Sequence, residues 1–166
     1  GTPPCAPSRR GLRCRPPGPP EVARAARFTA DELLDAALDL AVEGGPAAVT
    51  IAGISRRTGA PSGSVYHRFA GREELLATLW LRTIEEFQRD MIAALEITDT
   101  DLAIDACLAH AFDWTAAHPQ KTRLLLQFSA HDIAADWPES LGAQLHGANR
   151  RLREAITDLA RRRFGS

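Results

Sequence analysis

Apolar residues recur at intervals of three and four positions through most of this 166-residue sequence, the spacing that puts them on one face of a helix. Glycine and proline residues separate the successive stripes. The pattern predicts an all-α protein whose helices begin near residues 30, 51, 62, 72, 100, 119 and 138. We expect the first three helices to form an N-terminal helix-turn-helix domain, joined to a C-terminal antiparallel helical bundle.

The first helix has signals at both ends. Thr29 and Glu32 have the spacing of a capping box, and Phe28 precedes them as an apolar staple. Gly44, Gly45 and Pro46 then end the helix. Residues 29–43 carry a net charge of −5, so we expect this helix to face away from any nucleic acid.

The next two helices have the spacing of a helix-turn-helix, a motif that inserts its second helix into the major groove of DNA. The motif needs a small residue where its helices meet, a residue able to adopt positive φ four positions later, and a branched apolar anchor six positions beyond that. Ser55, Gly59 and Val65 meet these requirements, and Thr50 is a suitable N-cap.

The second helix of this motif is short and ends near His67. Its outward side chains would be those of Ser62, Ser64 and His67, which we expect to enter the major groove. Charge favours the same assignment, because residues 44–72 contain four Arg and no Asp or Glu, a net charge of +4. Residues 73–166 instead contain 10 Arg or Lys and 15 Asp or Glu. A phosphate backbone attracts such a basic segment whatever the base sequence.

The segment GAPSGSVYHRFAGREELL resembles the TetR (tetracycline-repressor-like) family of one-component transcriptional regulators, and the match extends from Phe28 to Leu79. The resemblance implies a homodimeric repressor that binds a palindromic double-stranded DNA operator and releases it when a small-molecule effector binds. It also implies that Thr50, Tyr66 and Arg72 hold phosphates while the face of the second helix contacts bases. The complete predicted DNA-binding set is Thr50, Arg57, Ser62, Gly63, Ser64, Tyr66, His67, Arg68 and Arg72.

Three features depart from the family pattern. Many members have Lys in place of Ser62, which would add a phosphate contact, and an acidic residue in place of Gly53, which would strengthen the helix. Members usually also continue for two further helices that complete the dimer interface and the ligand cavity. We therefore expect a helix-turn-helix domain at residues 28–71 and, at residues 72–166, an effector-binding and dimerisation domain without its last helices.

Large apolar side chains after residue 72 form the candidate effector site. They would line a cavity for a small hydrophobic or aromatic effector, although for each residue taken singly an ordinary core position is the favoured interpretation. The set is Trp80, Phe87, Met91, Phe112, Trp114, Phe128 and Trp137. The histidines are too scattered to predict a metal site, and nothing in the sequence indicates a cofactor.

Two long helices form much of the predicted body, the helical bundle at residues 72–166. The one that begins at Arg72 runs for some 24 residues without Gly or Pro, so it would connect the two domains. The last helix has an apolar seam with alternating spacings of four and three residues. This seam is either a subunit interface or the inner face of the chain's own bundle. Its members are Leu141, Leu145, Ala148, Leu152, Ala155 and Leu159.

Residues 1–27 form a Pro- and Arg-rich tail with a net charge of +5, which is expected either to be disordered or to act as an arm on DNA. The sequence has no apolar segment typical of a signal peptide and no apolar run long enough to cross a membrane. Its three cysteines lack metal-ligand spacing, which favours a reduced, cytoplasmic protein.

Motifs of common enzyme classes are absent from the sequence. There is no phosphate-binding Gly-rich loop after a strand, no Gly-x-Ser-x-Gly and no His-Glu-x-x-His. The sequence therefore predicts a regulator that is not an enzyme. The alternative is a helical ligand- or protein-interaction module with a vestigial helix-turn-helix. The absence of Asp and Glu from residues 44–72 argues against this alternative.

Overall fold

The structure, a computed structural model, describes residues 28–127 and 138–165. Within these ranges it contains seven α-helices, one turn of 3-10 helix at Pro46–Ala48 and no β-strand, which confirms the all-α prediction. The α-helices are α1 (Ala30–Gly44), α2 (Ile51–Thr58), α3 (Ser62–Tyr66), α4 (Arg72–Leu95), α5 (Thr100–Ala117), α6 (Pro119–Gln127) and α7 (Glu139–Phe164). The predicted tail at residues 1–27 lies outside the described residues.

The ends of α1 follow the sequence signals. The Glu32 backbone N–H donates to Thr29 Oγ at 3.2 Å, and the Thr29 N–H donates to the Glu32 carboxylate at 2.7 Å. These two bonds are the predicted capping box. The bond from the Thr29 N–H lowers the pKa of the Glu32 carboxyl, because it stabilises the charged form. At the other end Gly45 has a φ of +73°, which glycine adopts without strain.

One hydrophobic core extends from the first three helices into the bundle. Leu33, Ile54 and Val65 contribute one fully buried side chain each from α1, α2 and α3. The same cluster includes Leu75 of α4 and Leu141 of α7. The first three helices therefore pack directly on the body, and α4 belongs to both parts.

Ion pairs also join α1 and α6 to α4. Arg82 of α4 lies 3.1 Å from a carboxylate oxygen of Asp31 and 2.7 Å from one of Asp35, both on α1. Lys121 of α6 donates to both carboxylate oxygens of Glu86, at 2.7 and 2.6 Å. Burial opposes ionisation of Glu86, but the hydrogen bond and charge of Lys121 outweigh it and lower the pKa of this carboxyl.

Several large apolar side chains of α5 are exposed to solvent. Leu102, Leu108 and Phe112 are 60%, 55% and 73% exposed, whereas Ala103 and Trp114 are buried. The helix is apolar on nearly every side, so its sequence pattern does not identify the buried face. Much of its apolar surface faces away from the chain's own core.

The apolar seam on α7 faces the chain's own bundle in its first half. Leu141, Leu145 and Ala148 are buried, and the two leucines belong to the common core. The three later seam residues are half-buried. For the first half of the seam, the structure therefore favours the inner face of the bundle over a subunit interface.

Arg162, near the end of α7, satisfies carbonyl groups at the C-terminus of α4. Its guanidinium donates to the backbone oxygens of Ile97 at 2.6 Å and Thr98 at 3.2 Å, and also to that of Leu95. Carbonyls at a helix C-terminus lack intrahelical donors, so a nearby cation supplies both hydrogen bonds and favourable charge. This arginine therefore links the C-terminal ends of α4 and α7, the two longest described helices.

Replacing Arg162 with Gln is expected to lower the free energy of unfolding by about 1 kcal/mol, because three carbonyl groups lose a charged donor at a partly solvated site. Urea denaturation followed by circular dichroism measures the change. Arg153→Gln is the matched control, since Arg153 is also an exposed arginine of α7 and makes no ion pair among the described residues. Equal unfolding midpoints for the two variants would show that the carbonyl contacts do not stabilise the fold.

Candidate nucleic-acid interface

The backbone of α2, the turn and α3 has the geometry that the sequence predicts. Thr50 caps α2, because its Oγ accepts a hydrogen bond from the Gly53 N–H at 3.0 Å. Gly59 ends α2 in the left-handed conformation, with φ of 72° and ψ of 9°. Val65 anchors α3 with a fully buried side chain. The predicted helix-turn-helix is confirmed.

Small side chains occupy the point where α2 meets α3. The hydroxyl oxygens of Ser55 and Ser62 lie 3.2 Å apart and share a hydrogen bond. Ser55 is thus the small residue that the motif requires. Ser62 remains exposed, but its hydroxyl is held against α2.

The outer side of α3 presents an open surface. Tyr66 is 57% exposed, and Ser62, Gly63 and His67 are exposed as well. A Cβ atom added to Gly63 would meet no other atom within 4 Å, so this face is free of neighbouring side chains. Ser64 is half-buried, and so contributes less surface than its predicted role in the major groove implies.

Two predicted phosphate contacts at the edges of this surface also have partners inside the chain. The Arg72 side chain donates through Nε to the backbone oxygen of Val49 at 2.8 Å and lies 3.7 Å from Glu73. It therefore ties the start of α4 to the residue that precedes the N-cap of α2. Thr50 combines its capping bond with an exposed position. Arg68 is half-buried close to this surface.

Arg57 is paired with acidic residues of α1. Its guanidinium donates to Glu43 at 2.5 Å and lies 3.7 Å from Asp39. The hydrogen bond to Glu43 raises the pKa of Arg57, because it stabilises the charged form. The neighbouring Arg56 is exposed and has no ion pair among the described residues. Sequence spacing alone could not distinguish these two arginines, since each is a basic residue in the last turn of α2.

Gly53 lies at a crowded point between α1 and α2. A Cβ atom there would lie 3.0 Å from Thr50 Oγ and 3.2 Å from a methyl carbon of Leu40 on α1. The glycine allows α1 to pack closely against the first turn of α2. This close approach gives a physical reason for its departure from the family pattern.

The predicted effector residues that the structure describes lie in different surroundings. Trp80 is buried in the common core, whereas Phe112 is 73% exposed. Phe87 and Trp114 do meet between α4 and α5, with ring centroids 5.1 Å apart in an edge-to-face arrangement. Met91 is half-buried. Phe128 and Trp137 lie outside the described residues.

A cavity of about 570 Å³ lies between the C-terminal halves of α4 and α7, and none of the predicted effector residues lines it. Most of its lining residues are polar or charged. The residues are Glu85, Gln88, Arg89, Ile92, Leu95, Glu96, Arg151, Glu154, Ala155, Asp158 and Arg162. In the described ranges, no three His, Cys, Asp or Glu residues form a group that could hold a metal ion. No helix there is both long and apolar enough for a membrane span.

The α2–α3 unit lies at one end of a helical bundle and exposes its second helix. This is the arrangement of the helix-turn-helix class of DNA-binding folds. Comparisons with known proteins match this part of the chain to a known family. The family described as "Bacterial regulatory proteins, tetR family" matches residues 33–79, which include all of α2 and α3. This match confirms the resemblance of the helix-turn-helix segment to TetR-family transcription regulators that the sequence predicts.

Solved structures share the fold over most of the chain. The chain is similar to a tetR family transcription regulator from Shewanella sp. PV-4, with 25% identity, a TM-score of 0.67, and coverage of 80% of this chain and 70% of that one. It also shares the fold of the fatty acid degradation regulator FadR from Bacillus halodurans, with 21% identity and a TM-score of 0.62. That match covers 78% of this chain and 66% of the FadR chain.

Thr50→Ala is expected to lower the free energy of unfolding by about 1 kcal/mol, because the N-cap hydroxyl satisfies an otherwise unpaired amide of α2. Urea denaturation measures the effect. Thr157→Ala is the control, since that hydroxyl donates to the Arg153 carbonyl within α7 and caps none of the described helices. If the two variants unfold at the same urea concentration, the capping bond does not contribute to stability.

Proposed function

We propose that this protein is a repressor that binds a palindromic DNA operator as a homodimer and releases it when a small molecule binds the helical body. The observation that carries the proposal is the α2–α3 surface. It combines an open recognition helix, with Tyr66 and His67 exposed, and a segment at residues 44–72 that contains four Arg and no acidic residue. Such a surface suits a phosphate backbone and the base edges beside it.

The individual DNA contacts follow from exposure and hydrogen bonding. Ser62, Gly63 and His67 are assigned to the major groove, and Tyr66 to a phosphate. Arg68 and Arg72 would add charge at the edge of the groove, and Arg72 also donates a hydrogen bond to the Val49 carbonyl. Arg56 joins this set in preference to Arg57, because Arg57 is paired with Glu43.

The release mechanism follows from the geometry of a dimer. Two recognition helices must be about 34 Å apart, one turn of DNA, to dock at the same time. Helix α4 begins beside the helix-turn-helix and ends in the body, so a change in the body alters the position of the DNA-binding part. An effector shifts this equilibrium only as far as its affinities for the two arrangements differ.

This proposal divides the chain into a DNA-binding part at residues 28–71 and an effector-binding and dimerisation part at residues 72–166. The basic tail at residues 1–27 would supplement DNA binding as an arm. The protein acts by binding rather than by catalysis. Because its partner is the bacterial chromosome, the proposed location is the cytoplasm.

The test is selection from a random-sequence DNA pool with the purified full chain at two salt concentrations, followed by sequencing. Enrichment of a palindromic site, with an affinity that falls steeply as salt rises, is the expected result, because phosphate contacts release counterions. Sedimentation of the protein–DNA complex then gives the number of chains per operator. No enriched sequence and no salt-dependent binding would overturn the proposal.

The second candidate function is a ligand- or protein-interaction module whose helix-turn-helix no longer contacts DNA. One observation favours it, namely that Arg57 is neutralised by Glu43 and Asp39 instead of being available to phosphates. The DNA selection separates the two candidates. His67→Ala distinguishes them further, because it changes the enriched sequence only if α3 contacts bases.

A further inference from the structure

Arg82 of α4 binds two carboxylates of α1 at the same time. One terminal nitrogen of its guanidinium donates to Asp31 Oδ1 at 3.1 Å, and the other donates to Asp35 Oδ1 at 2.7 Å. The two aspartates are four residues apart, so they lie one turn from each other on the same face of α1. A guanidinium holds its donors in a rigid, planar fork. Its contact with two successive turns therefore restricts both the rotation of α1 about its axis and its sliding along α4.

The apolar contacts between these helices do not impose the same restriction. The common core includes buried leucine and alanine side chains of both α1 and α4. Apolar burial stabilises in proportion to the area removed from water and has no preferred direction. The core therefore holds the two helices together, whereas the hydrogen bonds of Arg82 favour one particular arrangement of them.

A second ion pair connects the same face of α4 to α6. Glu86 follows Arg82 by one helical turn, and Lys121 of α6 donates to both of its carboxylate oxygens. Helix α6 packs against α1 as well as against α4. Directional bonds thus run from α1 to α4 and from α4 to α6, at the place where the DNA-binding part meets the body.

The orientation of α1 on α4 determines that of the recognition helix α3. Leu33 of α1, Ile54 of α2 and Val65 of α3 are fully buried in one core. Closely packed interiors transmit a displacement instead of absorbing it, so these three helices move as a unit. A rotation or shift of α1 against α4 would therefore displace α3 relative to the body.

We propose that Arg82 is a positioning residue that fixes the orientation of helices α1 to α3 on α4, and thereby the spacing of operator half-sites that the protein accepts. The orientation does not depend on DNA, whereas its consequence for spacing rests on the proposed function. Arg82 contacts no DNA in this role. Partly exposed ion pairs contribute little to stability, so its substitution should change the selectivity for spacing far more than the unfolding midpoint.

Three variants test the geometry of this contact. Arg82→Lys keeps the positive charge but loses the fork that binds two carboxylates. Arg89→Lys is the matched control, because Arg89 is exposed on the same helix and forms no ion pair in the described ranges. Arg82→Glu combined with Asp35→Arg reverses one ion pair, and this double variant should recover the behaviour that Arg82→Glu alone loses.

Residual dipolar couplings of the backbone amides, measured by NMR on the full chain without DNA, report the orientation directly. In wild type and in Arg89→Lys, we expect the couplings of residues 30–66 and 139–164 to fit a single alignment tensor. In Arg82→Lys, the couplings of residues 30–66 should lose amplitude relative to those of residues 139–164, because the DNA-binding part then samples several orientations.

The consequence for spacing is measured by fluorescence anisotropy with three kinds of labelled duplex. They are the palindrome from the DNA selection, the same palindrome with one central base pair added or removed, and a duplex with one half-site scrambled. Changing the spacing by one base pair should weaken wild-type binding by about 100-fold, because both copies can no longer dock at once. The loss should be only about tenfold for Arg82→Lys. The affinity for the single half-site should stay unchanged.

Three results would each overturn the inference: equal couplings in wild type and Arg82→Lys, equal selectivity for spacing, or a loss of half-site affinity as large as that for the palindrome. If wild type selects no palindrome, the proposed function fails, and the couplings alone then decide the role of Arg82. If wild type selects a palindrome and Arg82→Lys behaves like Arg89→Lys, only this inference fails.

Discussion

A Gly63→Glu variant is expected to fold normally and to bind the selected operator at least about 100-fold more weakly, because like charges brought together at an interface cost several kcal/mol. Gly63 is exposed on α3, and a Cβ atom there meets nothing within 4 Å, so the substitution introduces no clash. Glutamate is also a better helix former than glycine. The loss of affinity would therefore come from the carboxylate facing DNA, and fluorescence anisotropy with labelled operator measures it.

Gly147→Glu is the matched control for this experiment. Gly147 lies within α7, and a Cβ atom there also meets nothing within 4 Å. The two variants have the same net charge, so a general electrostatic effect would weaken both similarly. Unchanged affinity for Gly147→Glu and a large loss for Gly63→Glu would locate the DNA-binding surface on α3. Normal binding by Gly63→Glu would exclude α3 as the recognition helix.

An Ile54→Ala variant is expected to lower the free energy of unfolding by about 3 kcal/mol, the usual cost of removing a large buried aliphatic side chain. Ile54 is fully buried in the core that joins α2 to α1 and α4. Because this core holds the α2–α3 unit together, DNA binding should be lost at a lower temperature than in wild type. Thermal unfolding by circular dichroism and anisotropy over the same temperatures measure both effects.

Ile156→Ala is the control for the core substitution, since Ile156 is 50% exposed on α7. Its unfolding free energy should change by no more than about 0.5 kcal/mol, as for most surface positions. Similar losses for the two isoleucine variants would mean that burial in this core is not what stabilises the helix-turn-helix.

Short-range signals made most of the fold predictable. The capping box at Thr29, the N-cap at Thr50 and the left-handed Gly59 each act through bonds to residues no more than four positions away. Val65, the anchor of α3, is also placed by a short-range feature, because the geometry of the turn before it sets its position. Such interactions join residues that are close in the sequence. The sequence therefore correctly predicts the helix-turn-helix and the starts of all seven described helices.

Contacts between distant residues were not predictable in this way. The pairing of Arg57 with Glu43, and the bond of Arg72 to the Val49 carbonyl, depend on how α1, α2 and α4 are oriented relative to one another. The exposure of Phe112 has the same origin, because α5 has apolar residues on nearly every side. The cavity between α4 and α7 was likewise not predictable, because its lining depends on how these two helices pack together.

Lys121 is the only lysine among the 166 residues. Its ammonium group is held by Glu86 of α4, and α6, on which it lies, packs against α1 of the DNA-binding part. An amine-reactive reagent would therefore modify a single side chain among these 166 residues, on the helix that packs against α1. Because the amine must leave Glu86 to react, the rate of that modification reports how often the Lys121–Glu86 ion pair between α6 and α4 breaks.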